Sequence, residues 1–189
     1  MALPPTHTKI DLGRLVPLLL IGIGLVLIGV IATWYIVTQD ADDEFSVVPL
    51  AVNFPAPQLV FNDLSGNRVD LADYRQQIVM VNNWATWCPP CKAEMPTLVK
   101  YFKAHSDQGF VLFGINAGDP KNDVVKFVDE YQLSFPILLD PNTKALMLFK
   151  NDSLPSSYVI DHQGNVVLAW TGPINRDMLE KYVTPLLEQ

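Results

Sequence analysis

The sequence predicts an α/β fold, with a central mixed sheet flanked by helices. Near-continuous apolar runs at Ile78–Trp84 and Phe110–Asn116 are typical of strands that are buried on both faces. Helical patterns alternate with these runs, which indicates parallel strands joined by helices. Two further stretches, Ser157–Asp161 and Asn165–Trp170, flank the turn residues His162-Gln163-Gly164 and predict a closing antiparallel hairpin.

The other elements are predicted in order along the chain. Turn residues Ser65-Gly66-Asn67 separate two short strands, Gln58–Asn62 and Arg68–Leu71, and so indicate an opening hairpin. The spacing of Val124, Phe127, Val128 and Tyr131 is that of one face of an amphipathic helix. The remaining predicted elements are a helix over 89–105, a short strand over Pro136–Asp140, a short helix over Thr143–Phe149, and a last helix from about Asn175, a suitable N-cap, to Leu187.

The N-terminal region contains one long apolar run. From Leu15 to Val37, 23 residues carry no charge. At a helical rise of about 1.5 Å per residue this run covers roughly 34 Å, enough to cross a bilayer core of about 30 Å. Lys9 and Arg14 precede it, and acidic residues follow it at Asp40, Asp42, Asp43 and Glu44. The basic side is expected to stay in the cytoplasm, which places the rest of the chain outside, at the cell membrane.

These features divide the chain into four parts. We expect a cytoplasmic N-terminus over 1–14, a single transmembrane anchor in the lipid bilayer over 15–37, a linker over 38–57, and one globular domain over 58–189. A cleaved signal peptide and a buried core helix are the alternatives for 15–37. The run is longer than the roughly 7–15 apolar residues of a signal peptide, and no clear cleavage site follows it.

The cysteines indicate redox chemistry. The chain has only two, Cys88 and Cys91, and they lie where a predicted strand gives way to a predicted helix. No second cysteine pair exists to complete a zinc site, and His7, His105 and His162 are scattered along the sequence. Reversible thiol–disulfide exchange is therefore favoured over metal binding, and no metal or cofactor is expected. The net charge of −7 argues against nucleic acid as a partner.

The position of each cysteine suggests its role. Cys88 is expected at a helix N-terminus, where the helix dipole and unpaired N–H groups stabilise a thiolate, so it is the expected attacking group. Cys91, one turn further on, is expected to be less exposed and to resolve the mixed disulfide formed at Cys88. Pro89 and Pro90 fit the first turn of a helix but remove two N–H donors from it.

The segment Trp-Ala-Thr-Trp-Cys-Pro-Pro-Cys-Lys-Ala-Glu-Met-Pro (residues 84–96) resembles the active-site segment of membrane-anchored, thioredoxin-like thiol–disulfide oxidoreductases of the TlpA/ResA type, relatives of the CcmG/DsbE proteins of cytochrome c maturation. The similarity extends over about residues 54–189 and includes Leu154-Pro155-Ser156-Ser157-Tyr158. It implies a thioredoxin-like fold, with Pro155 as a cis-proline that faces the cysteine pair. Leu154 would then offer its backbone to an extended substrate chain.

Further residues are singled out near the motif. Glu94 lies three residues after Cys91 and shares its helix face, so it either relays the proton of Cys91 or is a solvated surface glutamate; the resemblance implies a functional acid. Asn82 stands where thioredoxins have a buried aspartate, which directs attention to Glu94. Trp84 and Trp87 are expected to serve the structure, with Trp87 also shielding the disulfide.

The leading functional prediction is an extracytoplasmic reductase of protein disulfides. By resemblance, a membrane thiol transporter of the CcdA or DsbD type supplies electrons. Its substrate would be the oxidised haem-site cysteines of apocytochrome c or those of a copper-site protein. A disulfide-forming oxidant and a non-enzymatic Cu(I)-binding module are the alternatives. A peroxidase is disfavoured. Peroxiredoxin-like proteins share the fold but have a threonine three residues before their reactive cysteine, whereas Thr86 lies two residues before Cys88.

Overall fold

The computed structural model describes residues 12–38 and 47–188, and the chain divides into two compact units between Ala41 and Asp42. The first unit contains helix α1 (Leu12–Thr38). Large apolar side chains within residues 20–33 of this helix are exposed. Among the described residues, no helix is found to be both long and apolar enough to cross a membrane. The anchor at 15–37 stays a prediction.

The second unit is an α/β domain. Its described part contains eight strands and five α-helices: β1 (Leu50–Pro55), β2 (Val60–Asp63), β3 (Arg68–Asp70), β4 (Ile78–Trp84), α2 (Pro89–His105), β5 (Phe110–Ala117), α3 (Lys121–Tyr131), β6 (Ile137–Asp140), α4 (Lys144–Phe149), β7 (Ser156–Ile160), β8 (Asn165–Thr171), α5 (Arg176–Tyr182) and α6 (Thr184–Leu187).

All eight strands belong to one mixed sheet in the order β1-β8-β7-β4-β5-β6-β2-β3. Strand β4 pairs in parallel with β5, and β5 pairs in parallel with β6, whereas the other neighbours are antiparallel. The predicted mixed sheet and both predicted hairpins are therefore confirmed. Strand β4 lies near the middle, and all seven of its residues are buried, as its apolar run predicted.

The sheet is covered on both faces because side chains alternate along each strand. In β4, Ile78 and Met80 belong to a core cluster that includes residues of α2, α3 and α5. Val79 and Val81 belong to a second cluster that includes Ala145 of α4. Helices α2, α3 and α5 thus share one face of the sheet, and α2 carries the cysteine pair above the end of β4.

Two predictions differ from the structure. Residues 50–55, placed in the predicted linker, form β1 and pair with β8 at the edge of the sheet; the prolines near its end are compatible with an edge strand. The predicted single helix at the C-terminus is two helices, with a break at Val183. Pro185 explains the break, because a proline inside a helix removes one of its hydrogen bonds.

Candidate functional site

The two cysteines form a disulfide at the start of α2. Cys88 is the N-cap residue of the helix, and Pro89 and Pro90 occupy its first turn, where a missing N–H is tolerated. The Sγ of Cys88 accepts a hydrogen bond from the backbone N–H of Cys91 at 3.3 Å. The disulfide therefore lies at the positive end of the helix dipole, as the sequence predicted for Cys88.

The disulfide is largely covered by protein. Cys88 is 3% exposed and Cys91 is fully buried, so the order of exposure is the predicted one, although the difference is small. Trp84 is fully buried in the core, as predicted for a structural residue. Trp87 is 68% exposed, in the short turn between β4 and α2 at the surface next to Cys88, so it does not belong to the core. Its shielding of the disulfide stays a prediction.

Strand β7 brings Pro155 to the same end of the sheet. The Leu154–Pro155 bond is cis, which confirms the predicted geometry of this proline. β7 runs antiparallel to β4, and Ser156 pairs with Asn83, so Pro155 lies beside the carboxyl end of β4, which leads to Cys88. The carbonyl of Pro155 accepts a hydrogen bond from the N–H of Gly172 at 2.8 Å, and this bond ties it to the end of β8.

Glu94 lies inside the protein on the same helix as the cysteines. It is only 2% exposed, so the alternative of a solvated surface glutamate is wrong. Its Oε1 accepts a hydrogen bond from Nδ2 of Asn82 at 2.7 Å, and its Oε2 accepts one from the backbone N–H of Ile174 at 3.2 Å. The carboxyl group thus joins α2 to the central strand and to the segment that follows β8.

Asn82 also makes a second buried hydrogen bond, to a serine of β7. Its Nδ2 also donates to Oγ of Ser157 on β7 at 2.9 Å, while the neighbouring Asn83 donates to Oγ of Ser156 at 3.2 Å. Both asparagines and both serines are buried. Both asparagines are thus hydrogen-bonded inside the end of β4, and Asn82 additionally contacts the buried carboxyl on α2.

Burial changes the acidity of Glu94. Loss of hydration raises the pKa of its carboxyl from the ordinary value of 4.5 to about 8, and the hydrogen bonds from Asn82 and Ile174 oppose that rise. At neutral pH the carboxyl is therefore mostly protonated in the oxidised protein. A buried group with a pKa in this range is suited to accept and return a proton near pH 7.

The turn before Cys88 is held by residues that sequence reasoning missed. Oδ2 of Asp119 accepts hydrogen bonds from the backbone N–H of Thr86 at 2.6 Å and from Nδ2 of Asn116 at 2.8 Å. Oδ1 of Asn116 in turn accepts from the N–H of Asp119 at 3.1 Å. The available signal was the position of Asn116 and Asp119 at and just beyond the carboxyl end of β5, because parallel strands place their carboxyl ends at one edge of a sheet.

The described residues offer no metal site: they contain no group of three or more histidine, cysteine, aspartate or glutamate side chains able to hold an ion. The cysteines are bonded to each other and Glu94 is bonded to amides. The arrangement can exchange its disulfide for a thiol pair, with a buried carboxyl one helical turn from Cys91.

Comparison with known proteins agrees with this chemistry. Residues 52–169 match the AhpC/TSA family. The thiol-disulfide oxidoreductase ResA of Geobacillus kaustophilus is 35% identical over 134 residues, which cover 71% of this chain and 77% of that protein. The ResA of Bacillus subtilis is 34% identical over 128 residues, covering 68% and 72% of the two chains.

A solved structure shares the fold. The thiol:disulfide interchange protein of the thioredoxin family from Chlorobium tepidum superposes with a TM-score of 0.64 at 27% identity, over 73% of this chain and 99% of that one. The predicted thioredoxin-like architecture and the predicted resemblance are both confirmed. The chain belongs to the AhpC/TSA family of thioredoxin-like proteins, and it is a thiol–disulfide oxidoreductase of the ResA type.

Proposed function

We propose that this protein reduces disulfides of other proteins through the couple formed by Cys88 and Cys91. The observation that carries this proposal is the setting of Cys88. Its sulfur receives a hydrogen bond from the N–H of Cys91, and the two residues between them are prolines that have no N–H to donate. Strong oxidants of this fold depend on stabilisation of their reduced form. A first turn with fewer donors stabilises the thiolate less and therefore favours a reductant.

The reaction proceeds in two exchanges. The thiolate of Cys88 attacks one sulfur of the substrate disulfide, a mixed disulfide forms, and the other substrate sulfur leaves as a thiolate that takes up a proton. Cys91 then loses its proton and attacks the sulfur of Cys88. The Cys88–Cys91 disulfide forms, and the second substrate sulfur leaves as a thiolate that takes up a proton from solvent. Two electrons pass from the enzyme to the substrate, which is released as a dithiol.

Glu94 is the proposed acceptor of the Cys91 proton. It is buried one helical turn from Cys91 and bonded to Asn82 and Ile174. After the second exchange the enzyme is oxidised and the carboxyl holds the proton. A pKa of about 8 in the oxidised protein agrees with that order, since the group keeps a proton at neutral pH.

Pro155 and Trp87 are proposed to meet the substrate. Pro155 lies beside the end of β4, and the backbone of the adjoining Leu154 is proposed to pair with an extended substrate chain. Trp87 presents an exposed indole next to Cys88. Aromatic side chains contribute strongly to protein contacts when a partner covers them.

The proposed location is the outer side of the cell membrane. Residues 15–37 are uncharged and follow Arg14, and the described apolar side chains of α1 are exposed, as expected of a helix that faces lipid. An outward-facing reductase needs electrons from inside the cell. The proposed donor is a membrane thiol transporter of the CcdA or DsbD type, and the proposed substrates are the oxidised haem-site cysteines of apocytochrome c or those of a copper-site protein.

The Cys91→Ala variant tests the exchange mechanism. The full chain in mild detergent is reduced and mixed with an oxidised peptide that contains a Cys-x-x-Cys-His sequence. We expect a mixed disulfide at Cys88 that persists because the resolving thiol is gone, detected as a mass increase equal to the peptide. The Cys88→Ala variant is the matched control and is expected to form far less adduct. Tight Cu(I) binding by the wild-type chain without any reduction of the peptide would contradict the proposal and support a metal-binding module.

A further inference from the structure

We infer that Asp119 is a positioning residue for Cys88, and that it acts through the turn that leads into the active site. We use the name Asp119 clasp for the set Thr86, Asn116 and Asp119. The inference rests on the proposed role of Cys88 as the attacking thiol. Thr86 and Asp119 are 33 positions apart in sequence, and the parallel pairing of β4 and β5 brings them together.

The turn before Cys88 is closed by a backbone hydrogen bond. The N–H of Cys88 donates to the carbonyl of Ala85 at 3.2 Å, so residues 85–88 form a single turn. Thr86 is inside that turn, and its N–H donates to Oδ2 of Asp119 at 2.6 Å. Because Thr86 is two residues before Cys88, this bond fixes the backbone that delivers the sulfur to the N-terminus of α2.

The other side of the clasp is anchored in the sheet. Asn116 is buried at the end of β5, where it pairs with Trp84, and it bonds to Asp119 through both polar atoms of its side-chain amide. The N–H of Gly118 donates to the carbonyl of Asp140 at 3.0 Å, which ties the same loop to β6. The carboxylate of Asp119 is therefore anchored to the end of the sheet as well as to the active-site turn.

Asp119 can influence Cys88 in two ways of opposite sign. As a hydrogen-bond acceptor, it keeps Cys88 at the helix N-terminus, where the thiolate is stabilised and reactive. As a negative charge near Cys88, it would repel that thiolate and slow its reactions. The carboxylate is half-buried and accepts two hydrogen bonds, one of them the short bond from Thr86. These features favour its role as a hydrogen-bond acceptor over its role as a charge. Loss of the clasp should then lower the reactivity of Cys88.

The test measures the reactivity of Cys88 directly. In a Cys91→Ala background Cys88 is the only thiol in the chain, so alkylation of the full chain by iodoacetamide reports on it alone. The alkylation rate is measured across a pH series for the Cys91→Ala parent and for the same chain carrying Asp119→Ala or Asp119→Asn. The Asp119→Asn variant keeps an oxygen acceptor for Thr86 but has no charge at this position. The matched control is Asp123→Asn, which removes a charge from α3 that pairs with Lys126.

We expect Asp119→Ala to react about tenfold more slowly near neutral pH, the effect of losing one hydrogen bond to a charged group, with the midpoint of its pH profile shifted upward. Asp119→Asn and the Asp123→Asn control should react within about twofold of the parent. If Asp119→Ala does not fold, Asp119→Ser, whose hydroxyl is too short to reach Thr86, is expected to show the same slow reaction.

Two results would overturn the inference. One is an unchanged alkylation rate and pH midpoint in Asp119→Ala together with a lower melting temperature, which would make Asp119 a purely structural residue. The other is faster alkylation in both Asp119→Ala and Asp119→Asn, which would make its charge the dominant influence. Alkylation does not require turnover. A wild-type chain that fails to reduce disulfides would therefore contradict the proposed function without affecting this measurement.

Discussion

At the scale of single residues, the site combines two sulfurs with one buried acid. Glu94 is almost fully buried and accepts hydrogen bonds from Asn82 and Ile174, but it has no cationic partner among its described contacts. An enclosed carboxylate without a cation is unfavourable, and proteins usually respond by keeping the group protonated. The pKa of about 8 is therefore a consequence of where the helix places residue 94, one turn beyond Cys91.

This shift has a consequence for stability. The pKa is raised in the folded state, so the stabilisation linked to Glu94 is fully present below about 4.5 and is lost as the pH rises through about 8. Between these values one such group lowers the free energy of unfolding by about 1.4 kcal/mol per pH unit. We expect the free energy of unfolding of the oxidised wild type to fall by this amount per pH unit relative to that of Glu94→Gln. Urea unfolding in mild detergent over the same pH range measures it.

The comparison of the two proteins isolates one residue, because every other titrating group is present in both. Glu94→Gln can start from a different stability at low pH, since an amide cannot accept both hydrogen bonds. Only the slope of stability against pH decides the question. Parallel slopes for wild type and Glu94→Gln would show that the carboxyl does not keep its proton in the folded protein.

At the scale of elements, helix ends determine the positions of the important groups. Cys88 caps α2, and Asn175 caps α5 by accepting a hydrogen bond from the N–H of Met178 at 3.0 Å. The second cap was predicted from the sequence and is confirmed. It directly follows Ile174, whose N–H bonds to Glu94, so the start of α5 also fixes a wall of the buried acid site.

Removal of the α5 cap should lower stability. We expect Asn175→Ala to reduce the free energy of unfolding by about 1 kcal/mol, since the N–H of Met178 loses its side-chain acceptor. Asn175→Asp, which restores an acceptor oxygen, is the matched control and should recover most of the loss. Chemical denaturation of the three oxidised proteins provides the measurement. Equal losses in both variants would mean that packing around residue 175 matters and the cap does not.

Local patterns in the sequence were enough to predict the elements that depend on local properties. The apolar run of β4 and the helix that starts at Pro89 have the predicted bounds. β1 was not predicted, because an edge strand has only one neighbour and its residues are mostly exposed, so it lacks a buried apolar pattern. The Asp119–Thr86 bond depends on the pairing of β4 with β5, which no short stretch of sequence contains.

In the site, too, local motifs could be predicted and long-range contacts could not. Cys88, Cys91 and Pro155 belong to motifs and could be identified before the structure was known. Spacing alone could not tell whether Glu94 is buried, since a helix residue three positions from Cys91 can face the core or the solvent depending on what covers it. The segment after β8, around Ile174, provides that cover, and it lies 80 residues further along the chain.

At the scale of the whole molecule, the proposed topology has the thioredoxin-like unit outside the cell and α1 in the membrane. This arrangement makes a prediction for the full chain in a bacterial host. After mild reduction, Cys88, the more exposed of the two cysteines, should react with a membrane-impermeant thiol reagent in cells whose outer barrier has been removed but whose inner membrane is intact. A matched chain with Arg14 changed to glutamate should be labelled less, because its flanking charge no longer favours an inward N-terminus.

The labelling result has a clear contrary outcome. If Cys88 becomes accessible only after detergent opens the membrane, the unit faces the cytoplasm and the proposed orientation is wrong. The labelled protein should co-sediment with the membrane fraction even after a high-salt wash, as expected of a chain that spans the bilayer.

The central claim is that the Cys88–Cys91 couple works as a reductant. Its reduction potential tests this most directly, measured by equilibrating the full chain with thiol redox buffers and counting free thiols by mass. The setting of Cys88, with Pro89 and Pro90 in the first turn of α2, predicts a value near the roughly −270 mV of thioredoxin. A value near −120 mV, typical of a disulfide-forming oxidant, would contradict the account.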